Sequence, residues 1–344
     1  MFSRTGGGGD RPLVDRGQQA GEGLPAIVPG EGPARYLARA GFAGIEVDGP
    51  LGGLRNTTSG DEQFLTFNVT NLGAMRDNIR ESAIELDVIA NFGVALALDT
   101  SDCAGADTTA KFDRDHLAIM GHSMGAWIAP IAAATEPLFR ALILSGAGGS
   151  WIENIMYKKK PVEVQTVIAT IVHDNDLRAD DPVMTFAQWA LEPADPQLYG
   201  RSIIAEPLGA PRHVLMVQGI VDDYILPRIA NATSLSFGLD LAGLERDTED
   251  DPRLVGQLAI GPLLALPPVG RHAIGLPATA NVTSGTTKVT AVVTQHLEDG
   301  LEDGHEVLFQ TDVPKHEYQC FLASWIATGM PTVPDDATRD APCP

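Results

Sequence analysis

The sequence is short of aromatic residues, of positive charge and of long apolar runs. Phe, Trp and Tyr make up only 6% of its 344 residues, so a binding groove built from stacked rings is not expected. Lys and Arg number 24 against 45 Asp and Glu, a net charge of −21, which disfavours nucleic acids and anionic membrane surfaces as partners because both are polyanions. No apolar run reaches the roughly 18 residues that would predict a membrane-spanning helix.

Cysteine is also scarce. Cys103, Cys320 and Cys343 allow at most one disulfide and lack the spacing of a metal site. The first residues contain no apolar segment of a signal peptide, and the glycine run at 6–9 is typical of a flexible linker, so residues 1–23 are predicted to be an N-terminal linker. This start favours a chain that is part of a longer protein or has lost a leader. The compartment stays open between cytoplasm and export, and export would fit a bridge from Cys343 to Cys103 or Cys320.

The overall composition, with 44% apolar and 20% charged residues, is that of a globular protein. Strand-like and helix-like segments alternate, and this pattern predicts an α/β fold, a mostly parallel sheet covered by helices. The predicted strands are Leu24–Val28, Gly44–Val47, Leu117–Met120, Ala141–Leu144, His213–Val217 and Lys288–Thr294. The predicted helices are Ala34–Ala40, Met75–Asn91, Ala126–Thr135 and His316–Ala327.

Two stretches interrupt the alternation. Residues 151–209 hold helix-like pieces and charged runs such as Lys158–Lys160 but no convincing strand, which predicts a helical cap insertion. The Pro-, Gly- and Leu-rich stretch Leu241–Thr287 has the pattern of a second insertion. The sheet core is therefore assigned to residues 24–150 and 210–331, and residues 332–344 to a C-terminal tail.

A candidate nucleophile lies in the motif GHSMG, residues 121–125, between a predicted buried strand and a predicted helix. In a G-x-S-x-G motif the serine occupies a sharp, strained turn, and strand and helix approach so closely that the outer positions must be tiny. Gly121 and Gly125 meet that requirement. The turn would place the Ser123 hydroxyl at a helix N-terminus, where the helix dipole favours developing negative charge.

A serine hydroxyl attacks effectively only when a base takes its proton, and the base needs an orienting acid. In this strand–turn–helix context the chain order is Ser, then Asp or Glu, then His. Two carboxylates, Asp222 and Asp223, follow the predicted strand His213–Val217, and the carboxyl end of a strand is where such an acid belongs. Asp222 is favoured, with Asp223 as the alternative.

Three histidines follow the last predicted strand: His296, His305 and His316. His305 comes after Gly304 in a loop ahead of the C-terminal helix, and it is favoured as the base because the serine and the acid demand a histidine in this region. His296, at the strand end, is the alternative. His122, beside the nucleophile, is expected to pack under the oxyanion site.

These segments together resemble the α/β-hydrolase superfamily, in particular its bacterial lipase-like and esterase-like members. The resemblance is carried by GHSMG as the nucleophile elbow, QGIVDDYILP (218–227) as the acid loop, DGHEV (303–307) as the histidine loop, and FNVTNLGAMRDNIRESAIEL (67–86) as the preceding helix. It implies an α/β-hydrolase fold with a helical cap and an acyl-enzyme on Ser123. His305 would act as general base and then acid, oriented by Asp222, without a cofactor.

The oxyanion hole is where the chain departs from the superfamily pattern. One donor, the backbone N–H of Met124, follows from the elbow. The second is expected at Glu31, in the turn Gly30–Gly32, where many relatives carry His-Gly. A carboxylate beside an oxyanion is unfavourable unless it points away, and loss of one donor costs about two to three orders of magnitude in rate.

The function favoured by this pattern is hydrolysis of carboxylic esters. Small neutral or apolar esters are expected as substrates, because the net charge of −21 disfavours anionic ones at long range. An amidase or peptidase of the same fold is one alternative. A non-catalytic, hydrolase-like binding domain of a longer protein is another, favoured by the altered oxyanion turn. Acyl-chain length and oligomeric state stay open.

Overall fold

The computed structural model describes residues 33–105, 107–246, 249–254, 272–338 and 340–344. Three parts of the sequence-based prediction lie outside these residues: the linker 1–23, the strand Leu24–Val28 and the turn Gly30–Gly32 with Glu31. None of the described helices combines the length and apolarity needed to cross a bilayer.

The described chain alternates between strands and helices over most of its length. The helices are α1 Pro33–Arg39, α2 Glu62–Thr66, α3 Leu72–Ala95, α4 Met124–Thr135, α5 Trp151–Tyr157, α6 Val164–Val172, α7 Pro182–Leu191, α8 Gly200–Ile203, α9 Pro227–Phe237, α10 Val307–Gln310 and α11 Asp312–Thr328. The strands are β1 Ala97–Asp99, β2 Thr109–Lys111, β3 Leu117–His122, β4 Phe139–Ser145, β5 His213–Gly219, β6 Asp240–Ala242, β7 Ala273–Ile274, β8 Ala278–Thr279, β9 Val282–Ser284, β10 Thr287–Val289, β11 Ala291–His296 and β12 Thr332–Val333.

A six-stranded parallel sheet, in the order β3-β4-β5-β11-β6-β7, forms the centre of the fold. Every residue of β3, β5 and β11 is buried, as expected for parallel strands that are covered on both faces. This is why these strands stand out in the sequence as apolar runs. The remaining strands form three antiparallel pairs, β1 with β2, β8 with β12 and β9 with β10.

Helices cover both faces of the sheet. Successive side chains of a strand point to opposite faces, so Leu142 of β4 belongs to one apolar core and Ile143 to the other. The first core is completed by α3, α4 and α9, and the second by α1 and α11. The predicted α/β class, a parallel sheet between helical layers, is therefore confirmed.

Some predicted elements differ from the observed ones. Gly44–Val47 has no regular secondary structure, and its two apolar residues, Ile45 and Val47, are only half-buried. The described parts of Leu241–Thr287, predicted as an insertion into the sheet domain, contribute to β6 and β7, which extend the sheet beyond β11. These strands have three and two residues, too few to show a period. The strand predicted at Lys288–Thr294 is divided at Thr290 between β10 and β11.

The chain between β4 and β5 contains helices and 3₁₀ turns but no strand, in keeping with the helical pattern of its sequence. We call residues 151–209 the cap segment. Its first residue, Trp151, packs against Trp127 of α4 with ring centroids 4.4 Å apart. A small apolar core of its own contains Ile155, Leu177 and Met184.

The C-terminal residues are fastened to the body of the fold. Cys343 forms a disulfide with Cys320 of α11, whereas Cys103 is an exposed free thiol. This is one of the two bridges that the sequence left open. The strand β12 adds a second attachment by pairing with β8.

Removing the bridge should destabilise the protein without changing its fold. Cys343→Ser is expected to lower the free energy of unfolding by about 3 kcal/mol, because a cross-link over 23 residues restricts the unfolded chain. Urea denaturation under non-reducing conditions measures this, with Cys103→Ser as the control, for which a change within about 0.5 kcal/mol is expected at an exposed site. Coinciding midpoints for wild type and Cys343→Ser would contradict the prediction.

Candidate active site

Ser123 occupies the sharp turn between β3 and α4. Its φ of +54° lies in the left-handed region, which residues other than glycine rarely adopt, and the turn therefore stores strain. A Cβ atom at Gly121 would lie 2.3 Å from the carbonyl oxygen of Gly125, so strand and helix approach too closely for any side chain there. The backbone N–H of Ser123 donates to the carbonyl oxygen of Ser145 in β4 at 2.9 Å. These contacts hold the serine at the carboxyl end of the sheet.

Ser123 is partly exposed, whereas both of its sequence neighbours are buried. Met124 is the first residue of α4, and the backbone N–H groups in the first turn of a helix have no acceptor within that helix. An oxygen anion held near Ser123 would therefore meet N–H donors and the positive end of the helix dipole. Glu31, the expected second donor, lies outside the described residues.

Asp222 and His305 form a buried pair. The imidazole Nδ1 lies 2.8 Å from Oδ2 of the carboxylate, and Asp222 is only 2% and His305 only 4% exposed. The other carboxylate oxygen accepts the backbone N–H groups of Tyr224 at 2.8 Å and Ile225 at 2.7 Å. These bonds fix the orientation of the carboxylate and give its second oxygen hydrogen-bond donors in the interior.

The alternative acid, Asp223, points elsewhere. Its carboxylate pairs with the ammonium group of Lys160 at 3.0 Å, and its side chain is about half exposed. The two adjacent aspartates thus have different surroundings, one facing the imidazole and the other facing solvent and a lysine.

The other two histidines are also engaged elsewhere. His296 Nε2 lies 3.1 Å from Oε2 of Glu317 and 3.0 Å from the hydroxyl of Thr294, both buried. His316 lies in α11, with Nδ1 at 3.6 Å from the sulfur of Cys320. Neither of them is paired with the acid loop in the described structure.

The surroundings of His305 act on its pKa in opposite directions. Burial is the largest effect and lowers the pKa, but the charge and hydrogen bond of Asp222, together with the charge of Glu306, outweigh it. Lys158 opposes them through its positive charge. The net result is a pKa above the ordinary value of 6.5, so the imidazolium form is stabilised.

The imidazole of His305 lies against the elbow. Its ring centroid is 4.7 Å from that of His122, the residue before Ser123. A Cβ atom at Gly146, which follows Ser145, would be 2.6 Å from the imidazole Cε1. On another side the ring stacks on Tyr224, with centroids 4.7 Å apart and planes inclined by 21°. The residue before Ser123 and the residue after β4 thus both lie against the ring of His305.

Two glycines allow the acid loop and the histidine loop to meet through their backbones. The N–H of Gly304 donates to the carbonyl oxygen of Val221 at 2.8 Å. A Cβ atom at Gly219 would lie 1.7 Å from the carbonyl oxygen of Gly304, and one at Gly304 would lie 2.5 Å from that of Val221. Side chains at either position would push the loops apart and separate Asp222 from His305.

Asp303 is a functional residue that the sequence reasoning missed. One of its carboxylate oxygens accepts the backbone N–H of His305 at 2.9 Å and that of Asp223 at 3.2 Å. It caps the 3₁₀ turn Gly304–Glu306, which carries the histidine. An aspartate two residues before the histidine is the signal that could have revealed this cap.

Among the described residues, no cluster of three or more His, Cys, Asp or Glu side chains could hold a metal ion. The site therefore consists of a serine on a strained turn, a helix N-terminus and a buried carboxylate–imidazole pair.

No protein-family model matches the chain, and no sequence among the curated proteins matches it significantly. Similar solved structures include acetyl xylan esterase 1 from Thermoanaerobacterium sp. JW/SL YS485, which is 16% identical with a TM-score of 0.36 over 57% of this chain and 53% of the esterase. A puromycin-hydrolyzing peptidase of Mycobacterium tuberculosis is 18% identical, with a TM-score of 0.29 over 46% of this chain and 19% of the peptidase. A prolyl endopeptidase is 15% identical, with a TM-score of 0.31 over 47% of this chain and 19% of the endopeptidase.

The chain thus spans about half the length of the esterase and about a fifth of each peptidase chain. All three are hydrolases of the α/β-hydrolase superfamily. In this chain the serine turn follows β3, the acid loop follows β5 and the histidine loop follows β11, along one parallel sheet in the order β3-β4-β5-β11. The six-stranded parallel sheet, with helices on both faces, has the architecture of an α/β-hydrolase fold.

Proposed function

We propose that the protein is a serine hydrolase that cleaves carboxylic esters, with Ser123 as nucleophile, His305 as general base and Asp222 as orienting acid. The observation that carries this proposal is the 2.8 Å hydrogen bond between the buried carboxylate of Asp222 and Nδ1 of His305, on a ring that lies against the serine turn. An incidental histidine on a surface loop would have neither the buried acid nor the neighbouring serine.

The hydrogen bond to Asp222 sets the tautomer of the imidazole. The carboxylate accepts a hydrogen bond from Nδ1–H, which keeps the proton on Nδ1 and leaves the lone pair on Nε2 available to take the hydroxyl proton of Ser123. The serine oxygen then attacks the ester carbonyl, and the backbone N–H of Met124 stabilises the resulting oxyanion. His305 then donates the proton to the oxygen of the leaving group. The alcohol departs, and the acyl group stays bound to Ser123 as an acyl-enzyme.

Water completes the cycle by the same route. His305 takes a proton from water, the hydroxide attacks the acyl carbonyl, and the proton passes back to Ser123 as the acid product leaves. At each attack the imidazole becomes positively charged, and the buried carboxylate of Asp222 stabilises that charge. No cofactor is needed for these steps, because the groups that transfer protons belong to the chain.

The substrate class is proposed from charge. With a net charge of −21, the protein repels anionic esters at long range, so small neutral or apolar esters are the expected substrates. The same three side chains would also serve an amide or peptide bond. Parallel assays with p-nitrophenyl acetate and a peptide p-nitroanilide separate the two activities.

Removal of the serine hydroxyl should abolish the reaction. Ser123→Ala is expected to lower kcat for p-nitrophenyl acetate by at least about 10³-fold and to prevent labelling by a fluorophosphonate probe, which reacts only with an activated serine. Ser101→Ala, at an exposed serine between β1 and β2, is the control and should keep both signals. Wild-type turnover in Ser123→Ala would show that this serine is not the nucleophile.

The two adjacent aspartates should respond very differently to the same substitution. Asp222→Asn is expected to lower kcat by about 10⁴-fold, because the amide favours the wrong imidazole tautomer while preserving shape. Asp223→Asn should cost no more than about tenfold, because it removes one half-exposed ion pair and leaves the acid beside the imidazole in place. Steady-state kinetics on both variants measures the difference, and equal, small losses would exclude either aspartate as the orienting acid.

The pH dependence should report the imidazole. His305 must be neutral to act as a base, and its pKa is raised, so kcat/KM should increase with pH along a limb whose apparent pKa lies above 6.5. A pH series on the wild type between pH 5 and 9, with circular dichroism as a check of folding, tests this. A flat profile from acid to neutral pH in folded protein would indicate another base.

A further inference from the structure

A run of three lysines, Lys158–Lys160, follows α5 directly in the cap segment. Such a run is commonly a solvated surface feature. Here it lies against the two loops of the candidate active site, the acid loop (residues 218–227) and the histidine loop (residues 303–307). The run is the part of the cap segment that contacts both loops through its charges and its backbone.

The backbone and one ammonium group of the run hold the acid loop. The N–H groups of Lys159 and Lys160 both donate to the carbonyl oxygen of Asp223, at 3.3 and 3.1 Å. The ammonium group of Lys158 donates to the carbonyl oxygen of Tyr224 at 3.0 Å. Three bonds thus join three consecutive residues of the cap segment to the two residues that follow the orienting acid.

The Lys160 ammonium group connects the two loops to each other. It lies 3.0 Å from a carboxylate oxygen of Asp223, in the acid loop, and 2.9 Å from one of Asp303, in the histidine loop. An isolated exposed ion pair contributes little to stability. This ammonium group bridges two carboxylates, and the more buried one, Asp303, also accepts the backbone N–H groups of His305 and Asp223.

Lys158 acts on the same histidine from another direction. Its ammonium group lies 5.9 Å from the ring centroid of Tyr224, whose other neighbour in the stack is His305. Burial lowers the pKa of Lys158 to about 8, and its positive charge in turn lowers the pKa of His305. The charged and titratable groups around the imidazole are, by element, Asp222 and Tyr224 of the acid loop, Glu306 of its own turn, Lys158 of the cap segment and His122 of β3.

We propose that the side chains of Lys158 and Lys160 form a positioning element of the active site, which fastens the acid loop to the histidine loop and so fixes the imidazole of His305 relative to Ser123. This inference rests on the proposed function and adds a role for the cap segment to it. The cap segment would then take part in catalysis by holding the base in place, because small displacements of a reacting group are costly in rate.

The central experiment compares Lys160→Met with Lys159→Met. Both remove a lysine charge from the same run, but the structure shows no ion pair for the exposed side chain of Lys159 among the described residues. Lys160→Met is expected to lower kcat for p-nitrophenyl acetate by about tenfold with KM within about twofold, because the base is displaced while substrate binding is kept. Lys159→Met should match the wild type, and Lys160→Arg should recover most of the activity. Asp303→Asn, the other half of the bridge, should reproduce the loss.

A second readout does not depend on activity. Hydrogen–deuterium exchange of the acid and histidine loops should accelerate by about tenfold in Lys160→Met and stay unchanged in Lys159→Met, since the bridge holds the loops in the folded state. In an NMR titration, Lys158→Met should raise the pKa of His305 above that of the wild type, because the substitution removes the positive charge that lowers it. Lys159→Met is the control for this titration as well.

The outcomes separate the inference from the proposed function. If Lys160→Met and Lys159→Met agree with the wild type in both turnover and exchange, the positioning role is wrong. If wild-type protein neither hydrolyses esters nor reacts with the fluorophosphonate, the proposed function is wrong. The positioning role in catalysis is then wrong as well, because it depends on that function. Loss of turnover with faster exchange in Lys160→Met alone supports both.

Discussion

The carboxylate of Asp222 and the imidazole of His305 are buried together, and neither would be stable there alone. Removing one partner of a buried ionic pair typically costs about 3–5 kcal/mol, because the other is left in the interior without compensation. Here the carboxylate also receives two backbone N–H groups, and the imidazole is enclosed by the rings of Tyr224 and His122. The serine turn, the glycine contacts and the lysine run all lie around this pair.

The order of the strands in the sheet brings Asp222 and His305 together. The strands β5 and β11 are neighbours in a parallel sheet, so the loops that leave their carboxyl ends start side by side. Gly219 and Gly304 let those loops touch through their backbones, and Asp303 ties the second loop to the first. The strained turn at Ser123 lies at the same edge of the sheet, two strands from β5.

Much of this arrangement could be predicted from the sequence because it depends on local patterns. Buried parallel strands are continuous apolar runs, and the serine turn is marked by Gly121 and Gly125. Features that depend on long-range pairing could not be predicted: β6 and β7 are too short to show a period, and Lys160 meets Asp303 only after folding. The spacing of the cysteines left two bridges open, of which the structure has Cys320–Cys343. The oxyanion donor at Glu31 and the domain boundaries stay predictions.

The register of β5 and β11 has a consequence for how this molecule can vary. Gly219 lies opposite His296, so the distance between the acid and the base is determined across the sheet and not along the covalent chain that joins them. The described part of the chain between them contains β6 to β10. Insertions or deletions in its surface loops would therefore leave the carboxylate of Asp222 and the imidazole of His305 where they are.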